Sequence, residues 1–280
     1  MAEAFLPLEV TSADGRHGLR ACRHGGHLLG WRHDGVEQLF LSARAEYRDG
    51  VAIRGGVPIC FPQFAGFGPL AKHGFVRTRA WSLLAAESRA DAAVMAFVLD
   101  IGADEIAGWP HAVGLVVRYS ASAQGLECVL EIENPGATPL SFTGALHTYL
   151  AVSDLEAVTL RGLGDLAYTD SARGGEAVDT ETCLRFGPEI DRIYHAAAPV
   201  LLQDRARSLG LAMEGFTDTV VWNPGPVKGP ALADLAPGDW RRFVCIEAGV
   251  IARPVRLPPG EHWRGSQYLI PGAHAPQGRV

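Results

Sequence analysis

The chain lacks the features that would point to several common protein classes. No apolar run approaches the ~20 residues of a membrane-crossing helix. The opening MAEAFLPLEV has no basic segment followed by a long apolar stretch, so no signal peptide is expected. No basic stripe is present and the formal net charge is −6, which argues against nucleic acid or an anionic membrane as partner. The five cysteines, Cys22, Cys60, Cys128, Cys183 and Cys245, are scattered and form no C-x-x-C pair. No disulfide framework is expected, and a reducing compartment, the cytoplasm, is the expected location. Neither H-E-x-x-H nor G-x-S-x-G occurs, and FAGFGPL has Gly66 and Gly68 without the third glycine or following helix of a phosphate loop. His17, His24, His27 and His33 crowd the N-terminal region at spacings that match no standard zinc motif. They are expected to be solvated loop residues, with no metal bound.

What is present is a period of two. In LECVLEIENPG, Leu126, Cys128, Leu130 and Ile132 fall on one face and Glu127, Glu131 and Glu133 on the other. That is a half-buried strand, ended by the Asn134-Pro135-Gly136 turn. Val113, Leu115, Val117 and Tyr119 alternate just before it, which predicts an antiparallel hairpin. Helical periodicity is weak, with short candidates only at Gly187–His195 and Ala231–Leu235. Glycine and proline recur along the chain as turn signals. The pattern predicts an all-β fold: a large antiparallel β-sandwich with a few short helices, in one domain over residues 1–280.

Three places have residue types suited to chemistry. Ala52–Trp81 is rich in proline and glycine yet too apolar to be disordered, so it reads as a long ordered loop of the kind that serves a site. Arg54 precedes a Gly-Gly pair that would let the backbone approach a ligand. His73, Phe75 and Arg77 would share a face if HGFVR were extended. An arginine fork holds two phosphate oxygens with a charge that does not titrate near neutrality. His147 lies by parity with Thr143, Ala145 and Tyr149, where an imidazole facing a cavity suits proton transfer. Glu247 shares a face with Phe243 and Cys245 in a strand that is apolar on both sides, so it is expected to be partly buried and in need of a partner or a raised pKa. Asp218 begins an apolar strand in TDTVVW and has, on residue type alone, a simple capping role available.

Taken in order, GGHLLGWRHDGVEQLFLS, AIRGGVPICFPQF, KHGFVRTRAW, ALHTYLAVSD, LRGLGDLAYTD, FGPEIDRIY, DTVVWNPG, CIEAGVI and LPPGEHWRGSQ resemble the glucose-6-phosphate 1-epimerase branch of the aldose 1-epimerase (galactose mutarotase-like) superfamily over nearly the whole chain. The resemblance implies a galactose mutarotase-like supersandwich with one open cleft. It implies His147 and Glu247 as the catalytic acid and base. It implies His73, Asp218 and Gln63 at the sugar, and Arg54 and Arg77 at a phosphate. The partner implied is a small phosphosugar, and no cofactor is required. Gly225 after Asn223-Pro224, Val76 within HGFVR and Leu150 in HTYL depart from the common pattern without removing a proposed acid or base.

Anomer exchange opens a cyclic hemiacetal, so a proton leaves the anomeric hydroxyl while another reaches the ring oxygen. The expected arrangement sets Glu247 as base and His147 as acid on opposite sides of the sugar, with Asp218 near His147 to hold its charge. Three other readings remain at this point: a neutral-aldose 1-epimerase, a non-catalytic carbohydrate-binding β-sandwich, and a glycoside hydrolase using Asp218 and Glu247 as paired carboxylates.

Overall fold

Wherever apolar and polar residues alternate, the chain forms antiparallel strands. The structure, a computed structural model, describes residues 2–205 and 207–273. Val113–Ser122 and Gly125–Glu133 form the expected hairpin, with Val117 opposite Leu130 and Tyr119 opposite Cys128. They lie within a nine-stranded sheet. A second sheet has eight strands: Glu176–Val178, Ala167–Asp170, Ile190–Tyr194, Asp218–Asn223, Phe243–Leu257, Leu140–Leu146 and Ile59–Cys60 in spatial order, with Tyr149–Ala151 also paired to Phe243–Leu257. The N-terminal strands form a separate four-stranded sheet.

One face of the eight-stranded sheet is covered by the nine-stranded one. Leu146, Val221, Val244, Ile246 and Ala248 join Val117, Tyr119, Cys128 and Leu130 in a single buried cluster. Each fully buried Val, Leu or Ile stabilises the fold by roughly 1.5–3 kcal/mol. A one-residue slip would expose the whole set, so the interface fixes which face remains for a cleft. The other face carries Phe243, Cys245 and Glu247, all buried, as parity predicts.

Three local expectations are corrected. Ile190–Tyr194 is a central strand rather than part of a helix, its isoleucines and tyrosine buried between two neighbouring strands. Residues 231–235 hold only the end of a single 3-10 turn, Gly229–Ala231, and the following bend at Leu232–Leu235. The N-terminal histidines are not solvated: His17, His24 and His27 are buried, and the Nε2 atoms of His24 and His27 contact the carbonyls of Val51 and Gly55 at 2.8 Å. The loop after Val51 packs against this part of the chain and takes up those ring nitrogens. Four of the five cysteines are buried and Cys183 is half-buried, all as thiols. Among the described residues, no helix is long and apolar enough to cross a membrane.

Candidate active site

Strand register brings the two proposed catalytic side chains together. Leu146 pairs with Ala248 and Tyr149 with Cys245, so His147 falls opposite Glu247. The row continues through Val220, Ile193 and Thr169 on successive strands. The adjacent row reads Tyr149, Cys245, Trp222 and Asp191. This is the floor of a cleft of about 660 Å³, a size suited to a small ligand.

His147 Nδ1 lies 3.2 Å from Glu247 Oε1, and Glu247 is only 1 % exposed. Nδ1 and Glu247 Oε2 are buried and make no hydrogen bond among the described residues. Tyr149 stacks on the imidazole at 4.8 Å and Trp222 meets it edge-on at 5.7 Å, which limits ring rotation. Burial pushes the Glu247 carboxyl well above the usual carboxylate range, and the nearby Asp191 charge adds to the effect. Burial likewise holds His147 well below the usual histidine value, aided by His73 and the cleft cations Arg77, Arg54 and Lys72. A neutral imidazole beside a carboxylic acid carries the same number of protons as an imidazolium beside a carboxylate. The two forms differ only in where one proton sits, so the two groups titrate as a pair.

Acid and base were expected on opposite sides of a sugar; instead they are neighbours on one floor. The chemistry accommodates this, because the anomeric hydroxyl and the ring oxygen are bonded to the same carbon. Asp218, expected to help keep His147 charged, is not part of this arrangement.

The HGFVR segment is not extended. His73 and Gly74 have φ of 64° and 72°, and a 3-10 turn follows at Val76–Thr78. A Cβ on Gly74 would sit 2.0 Å from the Phe61 carbonyl oxygen, so this close crossing requires glycine. His73 Nδ1 accepts from the Ala65 N–H at 3.3 Å, which leaves the ring proton on Nε2. Burial lowers the His73 pKa to about 3, so the ring is a neutral donor at the cleft. Gly55 and Gly56, expected to approach a ligand, instead crowd the backbone at Phe40 and Leu28.

Arg54 and Arg77 both line the cleft. Arg54 is largely committed to the fold: Nε donates to Asp234 at 3.1 Å, Nη2 lies 3.0 Å from the same oxygen, and Nη1 donates to Tyr149 at 2.9 Å. Arg77 donates to the Lys72 carbonyl at 2.8 Å, and its buried Nε has no partner among the described residues. Lys72, not anticipated from sequence, lines the same wall.

Gln63 and Asp218 are committed elsewhere. Gln63 ties its own loop, donating to the carbonyls of Ala65 and Leu70 and accepting from the Leu70 N–H. Asp218 accepts from the amides of Ile251 and Ala252 at 2.7 and 3.2 Å and is not among the cleft residues. It braces an irregular stretch of the Phe243–Leu257 strand, so it does not pair with Glu247 as a second carboxylate for glycoside hydrolysis. Two further carboxylates line the cleft: Asp170, which accepts from the Ala172 and Arg173 amides, and Asp191, whose pKa burial raises to about 6. The signal of Asp191 was present in FGPEIDRIY as an acid alternating with apolar strand residues, and was hidden by a helical reading of that segment.

Behind the floor, Gln267 of the nine-stranded sheet accepts from Thr148 Oγ1 at 2.6 Å and donates to the Ile246 carbonyl at 3.0 Å. It thereby clamps the residues next to His147 and Glu247. No hydrophobic pattern announces such a residue.

Architecture and cleft together define a galactose mutarotase-like all-β fold with a buried histidine–glutamate pair on the cleft floor. The aldose 1-epimerase family matches residues 11–269, and the chain belongs to that family. It is 34% identical to a Cenchrus ciliaris protein named "Putative glucose-6-phosphate 1-epimerase", over 86% of this chain and 78% of the relative. An Escherichia coli K12 protein of the same name is 33% identical, over 80% and 76% of the two chains. The crystal structure of a Salmonella typhimurium protein described as a "putative mutarotase (YeaD)" superposes with a TM-score of 0.80 at 29% identity, covering 91% of this chain and 88% of that one.

Proposed function

We propose that this protein interconverts the α and β anomers of a hexose 6-phosphate, with glucose 6-phosphate the first candidate. The observation that carries the reading is the buried His147–Glu247 pair, 3.2 Å apart, at the floor of a cleft lined by Arg77, Lys72 and Arg54. The names of the relatives at 33–34% identity support the same substrate class.

In the proposed mechanism Glu247, as carboxylate, takes the proton of the anomeric hydroxyl. His147, as imidazolium, delivers one to the ring oxygen. The C1–O5 bond breaks, the electron pair goes to the protonated ring oxygen, and the anomeric carbon becomes an aldehyde. Rotation about C1–C2 presents the other face, and the roles reverse on closure. Positioned proton transfer of this kind contributes on the order of 10²–10⁴-fold. His73 Nε2–H and Asp191 are proposed to bind sugar hydroxyls. Arg77 and Lys72, neither paired with a carboxylate among the described residues, are proposed to take the phosphate, with Arg54 adding charge from its fixed position.

Exchange NMR on pure anomers tests the reading. Accelerated exchange of glucose 6-phosphate well beyond that of glucose is expected. Equal acceleration of both sugars would favour a neutral-aldose epimerase, and binding without exchange a carbohydrate-binding sandwich.

A further inference from the structure

We propose that His147, Cys245 and Glu247 form a tridentate site for a thiophilic divalent cation such as zinc or cadmium, whose occupancy blocks the acid–base pair. The blocking effect rests on the catalytic reading above, whereas binding does not.

The ligand set follows from the sheet. Cys245 and Glu247 are two residues apart on one strand and so point to one face, and His147 lies opposite Glu247. One donor atom from each of the three lies within 4.8 Å of the others. Two ligands held about 2.0–2.2 Å from a tetrahedral zinc ion sit roughly 3.3–3.5 Å apart. The His147–Glu247 contact of 3.2 Å is close to that separation, and it is not a hydrogen bond. The imidazole Nδ1 and the carboxyl Oε2 are both buried without a partner among the described residues. Cys245 is a buried thiol outside any disulfide.

Charge favours the same conclusion. Arg54, Arg77 and Lys72 would repel a bare cation from the cleft. A thiolate and a carboxylate cancel the two charges of the ion, so the complex is neutral. Binding breaks the Cys245 S–H bond and, where Glu247 is protonated, its O–H bond, and both protons go to solvent. His147 contributes its Nδ1 lone pair with the ring proton on Nε2. The fourth position opens toward the cleft that Glu247 and His147 line. The other close thiol–imidazole contact, Cys60 Sγ to His73 Nδ1 at 3.2 Å, is unsuited because that nitrogen already accepts from Ala65.

Titrating the purified protein with cadmium tests the site directly through the thiolate-to-metal charge-transfer absorption. Zinc inhibition of anomer exchange is measured in parallel. The expected result is a band saturating at one equivalent. Inhibition should be reversed by a chelator and strengthen with pH by up to about a hundredfold per unit, as two protons are displaced. Cys245→Ser should lose the band and weaken zinc inhibition at least tenfold, measured against the uninhibited exchange rate of the same variant. Cys245→Ala provides a second test should the serine variant fold poorly, and Cys60→Ala should behave as wild type. A folded wild type with no band, or a Cys245 variant inhibited as strongly as wild type, overturns the proposal. A Cys245-dependent band in a protein without exchange activity would leave the metal site standing and remove the catalytic reading.

Discussion

The floor and the rim of the cleft are built by different means. The floor is sheet: His147, Glu247, Val220 and Ile193 occupy one register row, and Gln267 holds it from behind. The rim is loop: Lys72, His73 and Arg77 are positioned by side-chain-to-backbone bonds and by left-handed backbone at His73 and Gly74. Sheet geometry leaves side chains little freedom to shift, which suits groups that must exchange protons at fixed distances. Loops accommodate a variable part of the ligand. On the proposed function, chemistry belongs to the floor and substrate choice to the rim. Glu247→Gln puts the sharpest strain on this division. The variant keeps the shape and removes the base, so kcat should fall by roughly 10²–10⁴-fold with the circular dichroism of the native fold retained. A near-normal kcat would take the chemistry off the floor.

The rim is probed by Arg77→Ala. A charge-assisted hydrogen bond is worth about 1.5–3 kcal/mol, or roughly 10–100-fold in affinity. The loss should appear in KM for the phosphorylated sugar and leave kcat for the neutral sugar almost unchanged. Arg54→Ala would be a poorer probe, since it also strips partners from Asp234 and Tyr149. An Arg77 variant that lost activity equally on both sugars would erase the division between floor and rim.

How far each region could be read in the sequence follows from the same difference. Period-two alternation grouped His147 with Tyr149 and Glu247 with Cys245, each on its own strand, because a strand's parity fixes side-chain direction; only the register between the two strands sets the pair side by side. Loop conformation has no such code: HGFVR was read as extended, and the positive φ at His73 and Gly74 reverses its course. Asp218 shows the limit of parity itself. It lies opposite Gly249, two residues from Glu247 along the strand, yet its carboxylate turns to backbone amides that the irregular stretch leaves open. Asp191 escaped notice because Ile190 and Ile193 also fit a helical spacing, and only their pairing with the neighbouring strands decides between the two. Burial of the N-terminal histidines depends on a loop far along the chain, so no local pattern announces it.

Those buried histidines also set an acid limit on stability. The pKa of His27 is lowered to about 4, chiefly by burial. The unfolded chain takes up a proton near pH 6.5 and the folded one only near 4, so stability is full above 6.5 and is lost as pH falls through that window. Over roughly 2.5 units at 1.36 kcal/mol each, the loss is on the order of 3 kcal/mol. Denaturant titrations at pH 7 and pH 4.5 should show it, and His27→Gln should flatten the dependence. A similar midpoint at both pH values would contradict the burial of this imidazole.

Gln267 tests whether the floor depends on its support. Gln267→Leu leaves the buried Thr148 hydroxyl only its long 3.5 Å bond to the Leu146 carbonyl and removes the side-chain donor from the Ile246 carbonyl, a defect costing about 1–3 kcal/mol. The catalytic pair keeps its side chains but loses the clamp on Thr148 and Ile246. A fall in kcat of about tenfold is expected, with KM for the phosphorylated sugar nearly constant, since no rim contact changes. Loss of stability with kcat intact would make Gln267 a packing residue and the floor self-supporting.

The smallest effect concerns the carboxylate between the two regions. Asp191 lines the cleft, and its negative charge raises the pKa of Glu247. In the proposed mechanism the pair must retain its mobile proton, so activity is expected to decline at high pH as that proton is lost. Asp191→Asn removes the charge. The Glu247 pKa then falls, and the alkaline limb of kcat/KM should move to lower pH. A uniform drop in kcat/KM with an unmoved limb would make Asp191 a binding group alone. A limb displaced without a change in KM would make it an electrostatic part of the floor. The two signatures separate cleanly because binding is read from KM at one pH and the proton inventory from the profile across many.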